Sequence, residues 1–142
     1  MGKLVIDSSV VIKWFVPEPY SQEAQYILKA YQAGTLMLLA PDLLYAEVGN
    51  IVWRKQRIQD ITPDEAQTII EEFQNLIFAK TSTADLLEDA YRIATAQQRT
   101  VYDAMYLALS VREQCQCVTA DEKLVNAVKT AYPNVIWVAD WA

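Results

Sequence analysis

Histidine is missing from all 142 residues of the chain. That absence excludes a Ser-His-Asp or Cys-His nucleophile and a histidine-ligated zinc. Acid–base work must then fall to carboxylates, lysine, tyrosine or metal-bound water. Cysteine is scarce as well, with only Cys115 and Cys117. At i and i+2 on a strand the two thiols share a face and sit poorly for a disulfide. Without histidine they cannot complete a zinc site, so they read as small buried hydrophobes in a reducing cytosol. Positive charge is in deficit, with 12 Lys and Arg against 18 Asp and Glu and a net charge of −6. Such a balance argues against simple electrostatic attraction to nucleic acid. No apolar run is long enough to span a bilayer. No signal peptide, low-complexity segment, linker or fixed-period repeat is visible either. The expectation is a cytoplasmic protein folded as a single domain over residues 1–142.

What is present begins with core. Hydrophobic residues make up 53% of the chain and charged residues 21%, a globular balance. Leu4-Val5-Ile6 runs without alternation into Asp7, as a strand buried on both faces would. Similar runs at Leu36–Ala40, Leu76–Ala79, Cys115–Thr119 and Val135–Val138 predict four more strands. Helices are predicted between them: Val10 to Phe15, Ser21 to about Tyr31, Pro41 to about Arg57, Thr62 to about Asn75, Ser82 or Thr83 to about Gln97, Val101 to Glu113, and Asp121 to Ala131. Thr62-Pro63-Asp64-Glu65 has the form of a capping box with proline at the first helical position. Strands alternating with helices predict an α/β fold: a central parallel sheet of about five strands covered by helices on both faces.

Four acidic residues stand out by placement. Asp7 follows the first strand, and Asp121 follows the strand ending at Thr119. Each is also a natural helix cap. In a doubly wound sheet these two strand ends can be neighbours at the switch point, so the two aspartates would face each other across a crevice. Glu47 borders the apolar stripe of its helix, where a solvated glutamate is equally at home. Asp103 lies in the first turn of the most apolar helix, a position that also suits the helix dipole. Its neighbours Tyr106 and Leu107 are large and largely apolar, so the carboxylate pays desolvation unless a cation or donor meets it. All-oxygen ligands suit Mg2+ or Mn2+ rather than zinc.

Four stretches in order then carry a resemblance. Val5-Ile6-Asp7-Ser8-Ser9-Val10 with Lys13-Trp14-Phe15, Pro41 to Trp53 with Glu47 and Asn50, Thr100 to Ala108 with Asp103, and Thr119-Ala120-Asp121 follow one another along nearly the whole chain. In this the chain resembles the PIN-domain ribonucleases, and among them the VapC-type toxins of toxin–antitoxin pairs. The resemblance implies a PIN-like three-layer sandwich and a Mg2+-dependent endoribonuclease, with Mn2+ as a possible substitute. It implies Asp7 and Asp103 as direct metal ligands. Asp121 and Glu47 would ligate through water, or orient and deprotonate the nucleophile. Ser9 and Thr119 would hold a carboxylate or a phosphate beside them.

The implied partners are a structured RNA such as transfer RNA, a second copy of the chain, and an antitoxin that inserts a basic residue among the carboxylates. Lys13 and Lys123 are the basic residues nearest the motifs and read as solvated surface lysines. Two other classes remain open. A phosphoacceptor receiver domain has a similar size, but it would want adjacent acids where Asp7 is followed by Ser8 and Ser9. A PIN fold kept as a non-catalytic binding module is separated only by assay.

Overall fold

The computed structural model describes residues 1–141. Five strands form a parallel sheet: β1 (Gly2–Ile6), β2 (Leu36–Pro41), β3 (Ala79–Thr81), β4 (Gln116–Thr119) and β5 (Val135–Trp137). Their spatial order is β3-β2-β1-β4-β5. The described α-helices are α1 (Ser8–Val11), α2 (Ser21–Gln32), α3 (Leu43–Arg57), α4 (Pro63–Gln74), α5 (Thr83–Gln97), α6 (Val101–Arg112) and α7 (Glu122–Val128). A 3-10 turn, Ile12–Trp14, extends α1.

β1 is the axis of the sheet. Leu4, Val5 and Ile6 are all buried, although successive side chains of a strand point to opposite faces. Both faces of the sheet are therefore covered, as the unbroken apolar run predicts. Leu4 pairs with Leu38 on one side and Gln116 on the other, which fixes β1 between β2 and β4. Among the helices, α6 lies deepest. Every residue from Ala104 to Ser110 is buried, and the helix packs on α5 and against β1, β2 and β4. Truncating Leu107, which is 0% exposed, to alanine would cost about 2–5 kcal/mol.

The local signals mostly act as the sequence predicts. Thr62 and Glu65 form the reciprocal capping box, with Thr62 Oγ1 accepting from the Glu65 N–H at 3.1 Å and Glu65 Oε1 accepting from the Thr62 N–H at 3.0 Å. Ser82, not Thr83, caps α5, and Asp121 caps α7. Several boundaries shift, among them Pro41, which ends β2 instead of opening α3. β3 begins at Ala79 instead of Leu76. The Leu76 N–H closes the end of α4 onto Phe73, the Ile77 N–H donates to the Tyr31 hydroxyl, and Phe78 joins a ring cluster with Phe73 and Tyr45. Local helix-end bonds and aromatic packing thus claim the apolar residues expected in the strand. Tyr20, in a left-handed conformation at φ 66°, occupies the cap position of α2, while the Ser21 hydroxyl accepts from the Glu18 N–H at 2.9 Å. Finally, α7 stops at Val128 rather than Ala131.

Candidate active site

The sheet order places a topological switch point between β1 and β4. The chain builds β1, β2 and β3 outward on one side and then returns to lay β4 and β5 on the other. Strand ends at such a point open a crevice. Asp7 lies at its mouth, with its N–H extending the β1–β4 ladder to Val118 O at 3.2 Å. Its Oδ2 accepts from the Thr119 hydroxyl at 2.7 Å and from the Ser9 hydroxyl at 3.2 Å. Its Oδ1 accepts from the Ser9 N–H at 3.4 Å and stands 3.2 Å from the Ser8 hydroxyl. Thr119 and Ser9 also tie down the far side of the crevice. The Asp121 N–H donates to Thr119 Oγ1 at 3.1 Å, and the Ala120 N–H to Ser9 Oγ at 3.0 Å. One hydroxyl pair thereby fixes both the Asp7 carboxylate and the loop that carries Asp121.

Glu47 enters from α3. Its Oε1 accepts from the Tyr106 hydroxyl at 2.6 Å and stands 3.3 Å from the Ser8 hydroxyl. Ser8 thus lies between two carboxylates with a single proton to give. Burial pushes Glu47 above the ordinary glutamate value; the Tyr106 bond opposes this, the Asp7 charge adds to it, the Ser8 bond opposes it, and the Asp103 charge adds to it. Tyr106 is itself buried, and burial with the Asp7 and Glu47 charges keeps its phenol protonated and donating.

Asp103 comes from the first turn of α6, where its N–H is capped by Thr100 Oγ1 at 3.0 Å. Burial raises its carboxyl, the Asp7 and Asp121 charges raise it further, and the Thr100 bond and Arg99 charge draw it back. Asp121 is exposed and spends Oδ1 on the Leu124 N–H at 3.2 Å, as the helix cap. Asp7, Glu47 and Asp103 therefore share one electrostatic neighbourhood. Asp121 joins this neighbourhood through its charge, which acts on Asp103.

Two participants were not singled out by sequence reasoning. Tyr106 follows Asp103 by three residues, so both face the same way from α6. That spacing is the signal that would have found it. Ser8 is visible only as part of its motif. Lys13 is a correction: it is 8% exposed rather than solvated, and its amine reaches Glu18 Oε1 at 3.3 Å. Lys123 is exposed as expected.

The donors suit a hard divalent cation. They are oxygens only, and they crowd like charges whose repulsion raises Glu47 and Asp103. Among the described residues no three acidic side chains close on one point tightly enough to hold a metal ion. Mg2+ needs no such cage, because it is held by one or two carboxylates and keeps several waters. The fit is therefore to an open site of few protein ligands.

The geometry defines a class, and comparison agrees. Residues 4–129 match the PIN domain model, and the chain belongs to the PIN-domain family. Over 126 residues, 87% of this chain and 93% of the relative, it is 36% identical to Ribonuclease VapC3 of Pyrobaculum aerophilum. Its fold is like that in the crystal structure of VapBC2 from Rickettsia felis bound to a DNA fragment from their promoter, with TM-score 0.64, 13% identity, and coverage of 95% of this chain and 96% of that one. It is also like VapC20 of Mycobacterium tuberculosis, a toxin that cleaves the sarcin–ricin loop, with TM-score 0.62, 14% identity, and coverage of 87% and 94%. At these identities the two structures speak for the fold. Among the described residues no helix is long and apolar enough to cross a membrane.

Proposed function

We propose that the chain is a divalent-metal-dependent endoribonuclease of the VapC type, with Mg2+ as its ion. The observation that carries this reading is the acidic neighbourhood at the β1–β4 switch point, where the Asp7 charge acts on both Glu47 and Asp103 and the Asp121 charge acts on Asp103. The 36% identity to a VapC ribonuclease supports it. A bound divalent cation supplies a more acidic water and positive charge against the phosphoryl oxygens. The chain's own residues do the rest. Asp7 and Asp103 would hold the ion. Ser9 and Thr119 fix the Asp7 carboxylate, and Tyr106 fixes Glu47. Glu47 and Asp121 would orient the attacking water and accept its proton.

A toxin of this kind needs a silencing partner. We infer an antitoxin that puts a basic side chain, most simply arginine, among the carboxylates. The substrate reading is a structured RNA such as transfer RNA, and the chain is read as pairing with itself. The test is incubation of partner-free chain with RNA. Cleavage in Mg2+ that stops with EDTA supports the reading, and intact RNA under both conditions defeats it.

A further inference from the structure

The loop between the 3-10 turn and α2 breaks a local rule. The Ser21 N–H donates to the Glu18 carbonyl at 3.1 Å and closes a β-turn over Glu18-Pro19-Tyr20-Ser21. Tyr20 has φ 66° and ψ 18°. With proline second and a left-handed residue third, the turn is of type II. That third position calls for glycine or asparagine, because a Cβ there crowds the backbone. A bulky side chain held in this region is strained, and such strain persists only where the surroundings over-determine it.

Here they do. Pro19 fixes its own φ. Glu18 is tied through both carboxylate oxygens, Oε1 to Lys13 at 3.3 Å and Oε2 to Lys55 at 3.1 Å. The Ser21 hydroxyl accepts from the Glu18 N–H at 2.9 Å. The turn is a rigid mount, and it presents a tyrosine ring that is 44% exposed. That ring meets Trp137 edge to face, with centroids 5.1 Å apart and planes at 69°. Trp137 ties the pair to the site. It ends β5, at the same end of the parallel sheet as Asp7 and Asp121. It pairs in register with Thr119, whose hydroxyl donates to Asp7 Oδ2 at 2.7 Å. Neighbouring strands lie about 4.8 Å apart, so Trp137 is roughly 10 Å from the strand that delivers Asp7. On the other side of the turn, Glu18 lines one groove with Ser9 and Asp121. The Tyr20 ring therefore stands on the rim of the carboxylate crevice.

We propose that Tyr20, braced by Trp137, is a stacking platform for a nucleobase flanking the scissile bond. The proposal rests on the ribonuclease reading, and it adds how so acidic a chain holds its substrate. The lysines tied to the turn are neutralised: Lys13 and Lys55 pair with Glu18, and Lys55 also reaches Asp60 at 3.5 Å. In a chain of net charge −6, an uncharged base face is the part of an RNA that this rim can hold. Unstacked bases of RNA loops lie on aromatic rings in this way, and a ring accepts any base. A ring fixed before binding loses little freedom when the base arrives. Tyr20 is remote from the reacting atoms, so its contribution is to binding and falls on KM rather than kcat.

The test is binding of an oligouridylate carrying one 2-aminopurine, in EDTA so that no strand is cut, followed across a salt series. Binding to the unmodified chain should quench the 2-aminopurine emission by stacking. Tyr20→Gly should lose that quenching and weaken binding about 5- to 150-fold. The slope of log affinity against log salt should stay unchanged, because a stacked base releases no counterions. Tyr20→Phe keeps the ring and should bind as the unmodified chain does. Glycine is at home at this φ, so relieved strain offsets the lost ring contact and Tyr20→Gly should melt close to the unmodified chain. Tyr20→Asn, which also tolerates the left-handed region, is the second variant. Tyr91→Ala, which removes a 63% exposed ring from α5, is the control. Full affinity in folded Tyr20→Gly and Tyr20→Asn overturns the proposal. So does a reduced salt slope, a loss that Tyr20→Phe shares, an equal loss in Tyr91→Ala, or no binding by the unmodified chain. Retained RNA affinity with loss of a protein partner's binding also overturns it and gives the ring to that partner. Cleavage in Mg2+ is scored separately. A chain that cuts RNA with the same KM in Tyr20→Gly loses the platform and keeps the ribonuclease reading, whereas Tyr20-dependent binding without any cleavage does the reverse.

Discussion

The Tyr106 hydroxyl donates to Glu47 Oε1 at 2.6 Å and joins α6 to α3 across 59 positions of sequence. The same two helices supply Asp103 and Glu47 to the crevice. The bond therefore sets the distance between two elements of the site as well as the rotamer of one carboxylate. Tyr106→Phe keeps the buried ring and deletes the donor. Hydrogen bonds to charged groups are worth about 1.5–3 kcal/mol, so the variant should melt several degrees lower. The Tyr106 bond also opposes the rise of Glu47. Its loss should move the acid limb of the cleavage profile to higher pH, whereas a purely structural role would lower Tm and leave the limb in place.

Asp103→Asn separates charge from shape. Glu47 and Asp103 both sit above their ordinary values of 4.5 and 3.8, chiefly through burial. The native state then binds these protons more tightly than the unfolded chain does. The resulting stability is fully present below the ordinary values and is lost as pH rises through the raised ones. Removing one charge removes part of that loss. Metal-free Asp103→Asn should melt above the unmodified chain at neutral pH, and the gain should shrink toward acid. A Tm difference that is flat with pH would contradict the crowding.

Thr119→Val tests the stitch between the two strand ends. Thr119 is 0% exposed and serves Asp7 and the Asp121 N–H at once. Valine keeps the volume and leaves a carboxylate oxygen and a backbone donor each short of a partner. The cost should be about 1–3 kcal/mol in stability. Cleavage should fall about 10- to 100-fold, as when the outer partner of a metal ligand is lost. Thr119→Ser, which restores the hydroxyl, should recover most of the activity.

Metal linkage is the fourth expectation. Mg2+ binding to the native chain should raise its Tm, because a ligand of the folded state stabilises it by mass action. Asp7→Asn should lose most of that rise. Four donor groups surround Asp7, three of them hydroxyls or backbone from Ser8 and Ser9. Hydroxyls can turn to accept from the new amide, so the metal-free variant should melt close to the unmodified chain. An equal Mg2+ shift in both proteins would place the ion elsewhere.

Much of this was legible in the residues themselves. Leu4-Val5-Ile6 declares a strand buried on both faces by lacking alternation, and the Thr62–Glu65 box declares a helix start. Both are local signals read within a few positions. Asp7 and Asp121 are legible for the same reason, since each follows a strand that the switch point makes a neighbour of the other. The Tyr106–Glu47 bond lies beyond that reach, because it depends on how two helices pack. Lys13 escaped for a related cause. A lysine beside a turn reads as solvated until Glu18 is folded back onto it, and only the tertiary fold does that. The slip of β3 from Leu76 to Ala79 has the same origin, with an aromatic cluster outbidding the ladder for an apolar run.

The most direct measurement is the rate at which partner-free chain cuts RNA in saturating Mg2+, with Asp103→Asn assayed beside it at equal folded fraction. The unmodified chain should cleave, EDTA should stop it, and Asp103→Asn should fall to background while melting no lower than the unmodified chain. Near-normal cleavage by a folded Asp103→Asn would contradict a metal site built on these carboxylates.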